Sequence, residues 1–141
     1  MQNLSDDEFK NVIDAFNGNL VIADGRDPTN PLIYASAGYC ELCDYSKEEV
    51  LGRNPAFLQG PNTSEKHKQA FRSLIKNKRA GNVTILNYKK NGEEFWNEVS
   101  LCPIFGSDGE VDYWVASHRD VTHDSATKKT YLDQLNDVKK I

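Results

Sequence analysis

The chain has 141 residues, enough for one domain with modest extensions and a core able to enclose a small ligand. Hydrophobic residues make up 38% and charged residues 27%, a globular balance rather than a disordered one, and the formal net charge of −4 argues against an electrostatic grip on nucleic acid or acidic lipid. No run approaches the roughly 20 apolar residues of a membrane span, and MQNLSDDEFK carries no apolar signal segment. Three cysteines, Cys40, Cys43 and Cys102, cannot all pair within the chain, so the expectation is a cytoplasmic protein with reduced thiols.

In chain order, Ser5 and Glu8 form a capping-box pattern, and Phe9, Val12, Ile13 and Phe16 recur at helical spacing up to Gly18. Residues 20–23 read as a short buried strand. GRDPTNP is turn chemistry, and residues 32–35 read as a second strand. Residues 36–60 hold short helical pieces broken by Gly52, Pro55 and Gly60. Ser64 can cap a longer helix with Ala70, Phe71, Leu74 and Ile75 on its apolar stripe, ending near Gly81. Residues 82–89, 94–105 and 111–121 alternate, with Asn91-Gly92 and Gly106 to Gly109 as hairpin turns, and so predict an antiparallel meander. Residues 124–141 read as a charged helical tail with a thin seam of Tyr131, Leu135 and Val138.

Period two sorts the meander into faces. One carries Val83, Ile85, Asn87, Phe95, Asn97, Val99, Leu101, Trp114, Ala116 and His118, apolar with three polar groups at matched depth. The other carries Leu86, Tyr88, Trp96, Cys102, Tyr113 and Val115, which predicts cover from a terminal helix or a second subunit. The fold class is therefore α+β, one five-stranded antiparallel sheet with short helices over a ligand-binding concave face.

GRNPAFLQG, residues 52–60, closely resembles the signature of LOV domains, the flavin-binding blue-light branch of the PAS family, which reads Gly-x-Asn-Cys-Arg-Phe-Leu-Gln. The resemblance extends through NPLIYAS, YSKEEVLG, LNYKKNGEEFWNEVSLCPI and the closing RDVT. It implies a core over residues 19–122, flanked by a capping helix at 1–18 and a helical extension at 123–141. It further implies a flavin between the helices and the sheet, FMN by the family pattern, with riboflavin, FAD or none as alternatives. By position, Asn87 and Asn97 would bond the pyrimidine edge, Asn54 and Gln59 the ribityl hydroxyls, and Arg72 the phosphate. Val21, Asn30, Phe57, Leu58, Ile85, Val99 and Leu101 would line the cavity, with His118, Trp114 and Ala116 facing the ring. An amide offers both donor and acceptor to such an edge, and an unpaired buried polar group costs about 1–3 kcal/mol. Read from the residues alone, two strand asparagines can bond each other, a lone helix arginine can be a solvated charge, and apolar sheet residues are core.

Several positions depart from the family pattern. Pro55 stands where the signature has the adduct-forming cysteine, and proline has neither a thiol nor a backbone donor. Ala56 replaces a signature arginine and removes a phosphate anchor unless Lys66 or Lys68 substitutes. His118 replaces a glutamine; an imidazole with an ordinary pKa of about 6.5 can change charge near neutral pH, or it can be a buried neutral ring bonded to a backbone carbonyl. Ala116 and Trp114 replace smaller residues. Cys40-x-x-Cys43 lacks the further ligands of a zinc site. The expectation is a non-enzymatic sensory photoreceptor that binds flavin without an adduct and signals by photoreduction. A homodimer through the terminal helices or outer sheet face is expected, acting on an unidentified signalling partner, with neither nucleic acid nor membrane as a partner. The alternative is a PAS dimerisation module that has lost flavin, its pocket filled by side chains.

Overall fold

The computed structural model describes residues 18–124. The helices expected at 1–18 and 123–141, with their apolar seams, lie almost wholly outside the described residues. Five strands, β1 (Leu20–Asp24), β2 (Leu32–Ala35), β3 (Gly81–Tyr88), β4 (Glu94–Phe105) and β5 (Val111–Asp120), form one antiparallel sheet in the order β2-β1-β5-β4-β3. The last strand thus takes the centre, where it pairs Ala116 with Val21 on one side and with Leu101 on the other. Between β2 and β3 the chain forms α1 (Ala37–Cys43), α2 (Lys47–Val50), a 3-10 turn η1 (Pro55–Leu58) and α3 (Glu65–Lys76).

Local chemistry explains the helical segment that periodicity left unread. Ser36 is almost fully buried and caps α1 by accepting from the Tyr39 amide at 3.2 Å. The same hydroxyl accepts from Leu20 N and donates to Gly18 O, which ties the start of α1 to β1. Ser46 and Glu49 form a reciprocal capping box that starts α2. Pro55, read as a break, opens η1 behind the Asn54 cap, a position where a missing N–H removes no helical bond. The long helix stops before Gly81, because Lys78 adopts a left-handed φ of 53° and the Arg79 amide closes on Leu74 O.

The meander follows the alternation. Gly92 and Gly109 hold the positive φ angles that their hairpins require. The inner face joins Val21, Leu32, Tyr39, Val50, Leu58, Val83, Ile85, Val99, Leu101, Trp114 and Ala116 in one core. Smaller clusters form on the outer face, around Ile22 with Tyr34 and around Leu86, Trp96 and Val121. Ile104 and Tyr113 remain exposed there. Arg26 clamps the β1–β2 turn to the β4–β5 hairpin through a bidentate pair with Asp108 and a bond to Asp112. That turn carries Asn30 toward the concave side.

Candidate functional site

The concave face of the sheet and the helices over it enclose a cavity of about 430 Å³, within the range of small-molecule sites. Its floor is Val21, Ala23, Leu32, Ile85, Asn87, Val99, Leu101, Trp114, Ala116 and His118. Asn30 and the η1 region close one wall with Asn54, Pro55, Ala56, Leu58 and Gln59. One face of α3 closes the other with Lys68, Phe71, Arg72, Ile75 and Lys76. A cavity with apolar walls and a few placed amides suits a flat, partly polar ligand.

The polar groups of the floor form a chain across three strands. Asn97 is fully buried, and its Nδ2 donates to Asn87 Oδ1 at 3.0 Å and lies 2.8 Å from His118 Nδ1. The register makes both contacts diagonal, since Asn97 stands opposite Ile85 on β3 and Asp120 on β5. Because an amide nitrogen only donates, His118 Nδ1 must accept, so the neutral ring carries its proton on Nε2. That Nε2 and Asn97 Oδ1 are buried without a partner among the described residues. Burial drives the His118 pKa down to about 4, and the bond accepted from Asn97 opposes protonation further. Of the two readings of His118, the structure therefore favours the buried ring that is neutral at pH 7. Its partner is the Asn97 amide rather than a backbone carbonyl. Tyr39 packs against the His118 ring, centroids 4.9 Å apart, with its own hydroxyl buried and unpaired. Burial raises the Tyr39 pKa well above the ordinary phenol value.

At the rim, the Asn54 amide is already engaged. Its Oδ1 caps η1 at Ala56 N and its Nδ2 donates to Thr29 O, both at 2.8 Å. Asn30, at a φ of 46°, turns its amide so that the nitrogen donates to Asp24 O and Asp27 O. Arg72 lines the cavity while its guanidinium pairs with Glu65 at 3.0 Å.

Asn54, Gln59, Arg72, Asn87, His118, Val21, Asn30, Leu58, Ile85, Val99, Leu101, Trp114, Ala116 and Pro55 all border the one cavity. Asn97 lies behind the floor and acts on it through Asn87 and His118. Phe57, expected in the lining, is not there. The three-residue period of η1 puts Pro55 and Leu58 on the cavity side and turns Phe57 away, edge-on to Tyr45 and beneath the Arg53 guanidinium. No cysteine lines the cavity: Cys40 and Cys43 sit on α1, and Cys102 is exposed. Burial raises the pKa of both α1 thiols, which suits packing rather than reactivity. Side chains do not fill the cavity, which keeps a volume of about 430 Å³. Sequence reading missed Ala23, Leu32, Phe71, Ile75 and Lys76 as lining residues, and Tyr39 beneath His118. Phe71 and Ile75 carried a signal in the apolar stripe of their helix, and Lys76 in its place one helical turn beyond Arg72. Among the described residues no cluster of histidine, cysteine and carboxylate side chains could hold a metal, and no helix is long and apolar enough to cross a membrane.

The order β2-β1-β5-β4-β3 with short helices over the concave face is the arrangement of a PAS core. The PAS domain family profile matches residues 19–123, and the chain belongs to the PAS/LOV domain family. It is 46% identical over 103 residues to a blue-light-activated histidine kinase of Rhizobium johnstonii, covering 73% of this chain and 30% of the kinase. It is 41% identical over 102 residues to phototropin-2 of Oryza sativa subsp. japonica, covering 72% of this chain and 11% of that protein. The chain thus spans less than a third of these curated relatives. Among solved structures it superposes on a light-oxygen-voltage domain studied with a flavin analogue, with a TM-score of 0.79, 34% identity and coverage of 90% of this chain and 93% of that one. The light-state LOV domain of the photoreceptor Aureochrome1 gives a TM-score of 0.75, 35% identity and coverage of 84% and 91%. The PAS domain of the fruit-fly ELK potassium channel gives a TM-score of 0.78, 32% identity and coverage of 86% and 100%.

Proposed function

We propose that this domain is a sensory module that holds a flavin, FMN in the first instance, non-covalently in the concave cavity and responds to blue light without forming a thiol–flavin bond. The observation that carries the reading is the unanswered donor His118 Nε2–H, buried on a residue of the cavity floor, with the Asn97–Asn87 amide pair beside it. A flavin edge alternates carbonyl and N–H groups and would answer that donor, which otherwise costs about 1–3 kcal/mol. The similar light-oxygen-voltage domain studied with a flavin analogue supports the same ligand, and the blue-light relatives support the response to light.

A bound flavin supplies a blue-absorbing chromophore that accepts an electron when excited. The chain's own residues hold and shield it. Asn87, with Asn97 behind it, orients the polar edge, Gln59 offers an amide to hydroxyls, and Leu58, Ile85, Val99 and Leu101 exclude water. Trp114 places an oxidisable indole on the cavity wall. Pro55 occupies the wall where the signature's thiol belongs, so no side chain there can add to a ring. His118 keeps a fixed donor on Nε2 and cannot interchange donor and acceptor as an amide does. Output would pass through the sheet to the terminal segments and a partner, with homodimerisation through those segments or the outer face.

The absorption spectrum of the purified protein, with chromatography of whatever heat releases, tests the reading. A flavin spectrum that illumination does not convert to a thiol adduct is expected, whereas Pro55→Cys should bleach reversibly and form a covalent sulfur–flavin bond. Colourless protein that no flavin reconstitutes would sink the proposal.

A further inference from the structure

Lys68, Arg72 and Lys76 succeed one another at four-residue spacing along α3, and all three line the cavity beside the apolar Phe71 and Ile75. Among the described residues no carboxylate lines it, although the chain has 21 acidic residues against 17 basic ones. An apolar chamber with a purely cationic side fits a ligand with a flat body and an anionic tail. Across from α3, Ala56 contributes no charge.

Glu65 opens α3 just outside this lining. Its Oε1 lies 3.0 Å from Arg72 Nη1 and its Oε2 lies 3.8 Å from Lys68 Nζ. A glutamate in a first helical turn is ordinarily a dipole-compensating charge. The Arg72 contact goes beyond that, because it bridges seven residues and about two turns, so the guanidinium must lean back along the helix. Arg72 foremost, then Lys68, hold the Glu65 carboxyl below its ordinary pKa and thus ionised. Lys76 has no ion-pair partner among the described residues.

We infer that Glu65 is an internal competitor for the anionic end of the ligand, and that it sets how strongly the cavity prefers a phosphorylated flavin to the unphosphorylated form. The inference rests on the flavin reading above. Glu65 engages Arg72 and Lys68, and a phosphate, with more charge and more acceptor oxygens, must displace it. Part of the attraction between phosphate and cations is thereby cancelled, while an uncharged ribityl tail feels no such competition. The uncontested cation is Lys76.

The test is a parallel titration of flavin-free protein with FMN and riboflavin, read by quenching of flavin fluorescence. Glu65→Gln should tighten FMN binding about two- to five-fold, the scale of one exposed ion pair, and leave riboflavin unmoved. Lys76→Met should weaken FMN and not riboflavin. If both flavins bind and Glu65→Gln leaves their affinity ratio unchanged or lowered, the competitor role is refuted while the flavin site stands. If neither flavin binds the unaltered protein, the flavin reading falls and this inference with it.

Discussion

His118 makes the acid stability of this domain a direct readout of its buried polar chain. Above pH 6.5 the ring is neutral in both the folded and unfolded chain, and its contribution is constant. Below that value the unfolded chain takes up a proton that the folded one refuses until about pH 4. The full stability is thus present above the unfolded pKa and is lost as pH falls toward the folded value. Each pH unit in the window removes about 1.4 kcal/mol, so this one side chain costs about 3 kcal/mol of stability between pH 6.5 and 4. His118→Gln removes the titration and keeps an acceptor within reach of Asn97 Nδ2. Urea unfolding of both proteins, flavin-free and at constant ionic strength, should give curves that converge or cross as pH falls from 7 to 4. The wild type should lose about 3 kcal/mol more than the variant over that range. His67, whose pKa is also lowered by partial burial and then by Lys66, contributes equally to both and cancels. A differential loss below about 1 kcal/mol would refute the assignment of His118 as a buried neutral ring.

Asn97→Ala should destabilise by about 1–3 kcal/mol in chemical denaturation, because it strips the partner from both Asn87 Oδ1 and His118 Nδ1. Tyr39→Phe should be neutral or stabilising by the same measurement, since it deletes a buried hydroxyl that has no partner, and a marked loss of stability would expose an unrecognised bond. Under native conditions a thiol reagent should modify Cys102 quickly, Cys40 slowly and Cys43 only on unfolding, in keeping with their exposures; rapid labelling of Cys43 would mean that α1 opens.

Much of this architecture is legible in the order of the residues. Strict alternation in 94–105 and 111–121 puts Asn97, Val99, Leu101, Trp114, Ala116 and His118 on one face, because a strand with one buried side admits only one register. GRNPAFLQG likewise marks Asn54, Pro55, Leu58 and Gln59, which the structure gathers on one wall. The segment between β2 and η1 is opaque to such reading, since helices of four and seven residues carry too few turns to display a period. Their starts rest on caps at Ser36 and Ser46, and through the first of these Tyr39 comes to lie under His118.

Residue type and spacing thus suffice to say which side chains share a face, that the signature position holds no thiol, and that the elements run in an α+β order. These are local properties, set along a short stretch of backbone. Only the folded arrangement places β5 at the centre of the sheet, turns Phe57 out of the lining, and brings Glu65 to Arg72. It also makes His118 neutral at pH 7, because the pKa of an imidazole depends on the water removed from around it and on the bonds it accepts. Both come from strands and helices distant in sequence, and no local pattern encodes them.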